Sequence, residues 1–163
     1  MILDVNSLPA IFDRSNAKHS EFKPVYDSIM TGLGIVVFGG ATYLTELKAM
    51  PRYLVLLAQL EKKRKVLKVN DAAVDVEEKR VAALCTDVDF DDPHLVAIVI
   101  VGRCRLVCTC DRRAVPYLKM AAFYPLPRDR PKVYSGARNA GLLNDRRLVQ
   151  KCLAELQQND SRY

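Results

Sequence analysis

Short apolar runs alternate along the chain with longer amphipathic stretches, the pattern of an α/β protein. Ile2-Leu3 is a very short apolar run that ends on Asp4, and the 13–30 region is mixed enough to be helical, with Pro24 near a helix start. Gly34–Phe38 is continuous, apolar and rich in β-branched residues, and Gly39-Gly40 closes it, as expected of a buried parallel strand. Residues 41–63 then carry helical periodicity through Leu44, Leu47, Leu54 and Leu57, and Pro51 predicts a kink or a break into two helices.

Residues 65–69 predict a short strand, followed by a helix that Asn70 or Asp71 caps and that runs to about Leu84. Asp92-Pro93 opens an apolar helix through Val101, ended by Gly102. Residues 105–110 form a strand that delivers Asp111 at its carboxyl end, and a short helix follows near 114–121. Pro125, Pro127 and Pro131 make a stiff connector, residues 132–134 an edge strand, and Leu142 to Gln158 a terminal helix. The expected architecture is one α/β domain around a mostly parallel sheet of four or five strands over residues 1–140, with 141–163 as a helical extension packed on it.

A chain of 163 residues, 50% hydrophobic and 27% charged, fits one ordinary globular domain and excludes disordered, fibrous and membrane-embedded classes. Residues 28–45 are uncharged, but glycines and hydroxyls interrupt them, so a strand, a glycine turn and a helix start explain them better than a membrane span. No basic export signal is visible at the amino terminus and the five cysteines are an odd number, so reduced thiols in a cytoplasmic setting are expected. Cys104 and Cys108 share a strand face with Cys110, but neither a CxxC pair nor a fourth ligand completes a metal site, so small buried hydrophobes are expected. His94 and His19 are solitary, and each reads as a helix-start or surface residue.

Charge is divided unevenly. Residues 1–111 carry 14 basic and 15 acidic side chains, net −1, whereas 112–163 carry 11 and 4, net +7. Arg112, Arg113, Arg128, Arg130, Lys132, Arg138, Arg146 and Arg147 recur with apolar residues between them, which describes either a solvated basic face or a surface for nucleic-acid phosphates.

The acids carry the sharper signal. Ligands of an open parallel sheet bind beyond the carboxyl ends of its strands, where Asp4 and Asp111 both fall. Two aspartates at one rim repel unless a cation or a shared proton neutralises them, and hard oxygen donors without convergent His or Cys select Mg²⁺ or Mn²⁺ over zinc. The competing account makes Asp4 a turn residue and Asp111 a helix cap.

Four segments, in order, resemble the PIN domain, particularly the VapC-type toxin ribonucleases. Ile2-Leu3-Asp4-Val5-Asn6-Ser7 is similar to its first strand, and Thr45-Glu46-Leu47 to the helix bearing its second acid. Asp92-Pro93-His94-Leu95-Val96-Ala97 is similar to the aspartate that opens an apolar helix, and Leu106-Val107-Cys108-Thr109-Cys110-Asp111 to the strand ending in Thr-x-Asp. The resemblance spans residues 1–136.

It implies a three-layer α/β/α fold and a Mg²⁺- or Mn²⁺-dependent endoribonuclease in which Asp4, Glu46, Asp92 and Asp111 meet at one rim. Asp4 and Asp111 would be the firmest metal ligands, Asp92 would bind directly or through water, and Glu46 would orient the attacking water. Asn6 and Thr109 would tether the carboxylates, and Arg112 and Arg113 would hold substrate phosphate. RNA, a cognate antitoxin and a second copy of the chain are the implied partners. Asp89 and Asp91 compete with Asp92 for the third position, although the helix register counts back to Asp92. Two rivals are a PIN-like RNA-binding or adaptor module without activity, and a phosphate-receiver domain; the latter expects an adjacent acidic pair on the first strand, and Asp4 stands alone.

Overall fold

The structure, a computed structural model, describes residues 1–145 and Leu148. Five short strands, β1 (Ile2–Leu3), β2 (Val36–Phe38), β3 (Val66–Lys68), β4 (Leu106–Cys108) and β5 (Lys132–Tyr134), alternate with helices. The helices are α1 (Leu8–Phe12), α2 (His19–Met30), α3 (Ala41–Lys48), α4 (Pro51–Lys62), α5 (Asp71–Leu84), α6 (Pro93–Val101) and α7 (Ala114–Leu118). Pro51 breaks the 41–63 stretch into α3 and α4. Helix α2 begins at His19, so Pro24 lies inside it and not near its start.

Strands β1, β4 and β5 form a parallel sheet in the order β1-β4-β5, and β2 pairs in parallel with β3. Met1 joins the two sheets. Its nitrogen donates to the Ile35 carbonyl at 2.6 Å and its carbonyl accepts from the Val37 amide at 2.8 Å, the pattern of a parallel pair with Met1 opposite Val36. The strands therefore run side by side as β3-β2-β1-β4-β5. The carboxyl ends of β1 and β4, neighbours in this order, open toward one rim.

Helix α6 is apolar all round, and His94 through Val99 are buried without interruption, the signature of a helix enclosed by its neighbours. It packs on α5, α3, β1 and β4. The buried stripe of α3 and α4 runs through Tyr43, Leu47, Tyr53, Leu57 and Leu60, whereas Leu44 is half-buried and Leu54 exposed. Tyr43 can take an inward position because its hydroxyl and ring find partners there.

The turn from β2 into α3 uses Gly40 at φ +90°, where a Cβ would also meet Val74 Cγ1 at 2.5 Å. This close approach lets α5 serve the amino end of α3. Asp71 accepts from the Gly40 amide (2.9 Å), Asp75 from the Ala41 amide (2.7 Å) and Glu78 from the Thr42 hydroxyl (2.8 Å). Carboxylates are favoured at this positive helix end, so these acids fix the position of α3.

Residues 137–144 form 3₁₀ turns, which include the first residues of the expected terminal helix; most of the expected 141–163 extension, with Arg146 and Arg147, lies outside the described residues. Among the described residues, no helix is long and apolar enough to cross a membrane. Cys104 and Cys108 are buried, Cys85 and Cys110 are half-buried, and all four are free thiols. Burial pushes the Cys108 thiol up to about 12, which keeps it protonated and inert.

Candidate metal centre

Asp4 follows β1 directly, and its amide completes the ladder to the Cys108 carbonyl at 3.0 Å. Its side chain, 3% exposed, turns back to cap the 3₁₀ turn Val5–Ser7. Asp4 Oδ1 accepts from the Asn6 amide at 2.9 Å. Its Oδ2 accepts from two hydroxyls, Ser7 at 3.0 Å and Thr109 at 2.7 Å. Each hydroxyl also accepts a backbone amide after β4: Ser7 Oγ that of Cys110 at 2.7 Å, Thr109 Oγ1 that of Asp111 at 2.9 Å. Thr109 thus hydrogen-bonds the Asp4 carboxylate directly. The Asn6 side chain is exposed, and its contribution to Asp4 is the backbone N–H; Ser7 supplies the second hydroxyl.

Glu46 is brought to the same rim by Tyr43, one helical turn before it. The fully buried Tyr43 hydroxyl donates to the carbonyl of Leu3, the residue before Asp4, at 2.9 Å. Its ring stacks on Phe38 and meets His94 edge-on. Asp92 occupies the cap position of α6, but its carboxylate makes no capping bond, so it is not spent on holding the helix. Asp89 and Asp91 are exposed, whereas Asp92 is half-buried among the other acids.

His94 lies on the first turn of α6, as a helix-start residue would, but it is neither solitary nor at the surface. It is 1% exposed, and ligand atoms of Glu46, Asp92 and His94 lie within 4.8 Å of one another. Its Nε2 approaches Glu46 Oε2 at 3.6 Å, and its Nδ1 is buried without a hydrogen-bond partner. Asp4 and Asp111 are not members of this tight trio. Asp111 instead faces Arg113, whose guanidinium reaches its two oxygens at 3.2 and 2.8 Å and whose amide donates at 2.8 Å. Arg113 therefore engages the last acid, and it joins Lys18, Arg112, Cys110 and Ser135 around a cavity of about 320 Å³ beside Asp111.

The electrostatics follow from this placement. Burial and the charges of Asp4, Asp91, Glu46 and Asp111 push Asp92 up to about 7. Burial first, then neighbouring acids, also raises Glu46; burial raises Asp4 against its three hydrogen bonds. Arg113 holds Asp111 below the usual carboxylate range. Burial lowers His94 to about 4, so its imidazole is neutral at pH 7 and the approach to Glu46 is not an ion pair. A cluster of buried acids with raised proton affinity beside a neutral imidazole has the donor chemistry of a divalent-cation site.

No protein-family model, no curated protein and no solved structure matches the chain.

The nitrogen donor alters the expected metal chemistry. Carboxylates alone favour Mg²⁺ as readily as Mn²⁺, whereas an imidazole among them favours transition metals. Ser7 and Tyr43, which sequence reasoning does not single out, hydrogen-bond the Asp4 carboxylate and the Leu3 carbonyl before it. The hydroxyl bridge is open to test: Thr109→Val keeps the shape but leaves Asp4 Oδ2 and the Asp111 amide each one partner short. We expect it to cost about 1–3 kcal/mol in urea denaturation; an unchanged midpoint would show that the bridge is not a stabilising element.

Proposed function

We propose that the chain is a PIN-like, metal-dependent endoribonuclease whose site comprises Asp4, Glu46, Asp92 and His94, with Asp111 at its margin. The observation that supports this reading most is the uncapping Asp92 carboxylate, raised to about 7 beside Glu46 and the unpartnered imidazole of His94. The parallel order β3-β2-β1-β4-β5, with the acids beyond β1 and β4, supports the PIN-like three-layer assignment.

Glu46, Asp92 and His94 would hold the cation, with Asp4 supporting them from its bonds to Ser7 and Thr109. Bound there, a divalent cation supplies an acidified water and positive charge opposite the scissile phosphate. Glu46, half-buried at the edge of the trio, has a second carboxylate oxygen that would orient the attacking water by a hydrogen bond. Lys18 and Arg112, at the cavity beside Asp111, supply cations for the flanking phosphates. The same resemblance carries the proposals of a cytoplasmic setting, an antitoxin covering this rim, and a homodimer.

The second reading, an RNA-binding module without cleavage, draws support from Arg113, which already neutralises Asp111. Purified protein is expected to cut single-stranded RNA internally with Mn²⁺ or Mg²⁺ and to stop on addition of EDTA. Binding of RNA without cleavage in either metal would move the conclusion to the second reading.

A further inference from the structure

The cations of the last third do not all gather at the acid rim. Arg105 precedes β4 and Arg130, Pro131 and Lys132 lead into β5, so this group lies at the amino ends of those strands, opposite the rim. Three-residue strands at about 3.3 Å per residue put the two ends on the order of 10 Å apart across the sheet. Arg105, Lys119, Arg128, Arg130 and Lys132 line a cavity of about 360 Å³. None of the described residues lining it is acidic.

Among the described residues, no carboxylate pairs with Lys119, Arg128, Arg130 or Lys132. Arg130 Nε is buried and has no hydrogen-bond partner. A buried guanidinium N–H left unsatisfied costs free energy that an anionic oxygen would recover. Arg103, Arg105 and Arg128 line an adjoining cavity of about 310 Å³ together with one acid, Asp129, and Pro125 and Leu126 add apolar surface there. Leu126 is 42% exposed there.

We propose that this paired groove is a binding site for the phosphates of a single-stranded nucleic acid, separate from the acid rim. Clustered arginines and lysines match phosphodiester oxygens, and the exposed apolar shelf at Pro125 and Leu126 suits the flat face of a base, which an inorganic anion or a carboxylate side chain does not offer. The site requires neither metal nor cleavage. Choosing RNA as its ligand follows the proposed nuclease reading, but binding to it is measurable when that reading fails.

The test is fluorescence anisotropy of a labelled single-stranded RNA 20-mer with the full chain in EDTA, so that no turnover occurs. Lys119→Glu/Lys132→Glu, both at exposed positions, should weaken binding at least tenfold and flatten the dependence of log affinity on log salt. Lys62→Glu/Lys63→Glu, exposed cations at the end of α4, should change it less than twofold. Arg130→Ala should weaken it as well, with circular dichroism checking its fold; the lysine pair decides the matter if Arg130→Ala does not fold. Equal losses in both lysine pairs, or none in the groove pair, would overturn the proposal. So would displacement of RNA by polyglutamate or inorganic phosphate at equal charge concentration, which would assign the groove to an acidic protein or a small anion. Groove-dependent binding by a chain that cuts no RNA would leave this site standing and remove only the nuclease reading.

Discussion

Asp92→Asn is expected to lower metal-dependent RNA cleavage by at least about 100-fold while making the metal-free protein more stable at pH 8. The two effects have one cause. Asp92 is half-buried beside Glu46 and within the field of Asp4, Asp91 and Asp111, so its proton is held up to about pH 7 in the folded chain. In the unfolded chain the same carboxyl ionises near 4. Its contribution to stability is therefore fully present below about pH 4 and is lost as pH rises through about 7. Asparagine keeps the shape and never ionises, so the loss disappears. Urea denaturation in EDTA at pH 5 and pH 8, alongside RNA cleavage with Mn²⁺, measures both. A variant that is inactive and also less stable at pH 8 would mean that Asp92 holds the fold together and is not part of a cation site.

Saturating Mn²⁺ is expected to raise the melting temperature by about 5–10 °C at pH 8, more than Mg²⁺ does and more than at pH 5. A ligand at 100 times its Kd stabilises by about 2.7 kcal/mol, and for a domain of this size each kcal/mol moves the midpoint by about 2–4 °C. The pH effect follows because protons and metal compete for Asp92, held up to about 7, and for Glu46, raised from its ordinary value by burial and neighbouring acids. The preference for Mn²⁺ follows from the neutral imidazole of His94. His94→Gln should abolish that preference while leaving a smaller shift from the carboxylates. Equal shifts with both metals in the native chain would remove His94 from the ligand set, and no shift with either would remove the site.

The strands, the Pro51 break and the Pro93 helix start are readable in the sequence because each rests on a local rule: β-branched runs, a missing N–H, a fixed φ. The register that counts back to Asp92 is local in the same sense, and Asp92 rather than Asp89 or Asp91 reaches the cluster. His94 escapes a reading of solitary histidines because its partners lie on other elements. The signal was nevertheless present, since α6 is apolar on every side and such a helix buries whatever polar residue it carries. Tyr43 was hidden by the neighbouring Leu44, which suits the helical period equally well until the Leu3 carbonyl is seen to need a donor. Arg113 lies two residues from Asp111, and only the turn after β4 brings its guanidinium back onto that acid. Non-local pairing of this kind leaves no spacing rule to read.

The two hydroxyls that meet on Asp4 also dictate the direction from which anything else can reach it. Ser7 and Thr109 each receive a backbone N–H, so each must point its own hydrogen at Oδ2. Both lone-pair directions of that oxygen are consequently filled, one from the turn after β1 and one from the residue after β4. Oδ1, with one amide from Asn6, keeps a single vacant direction, and an incoming ion has that one avenue to the aspartate.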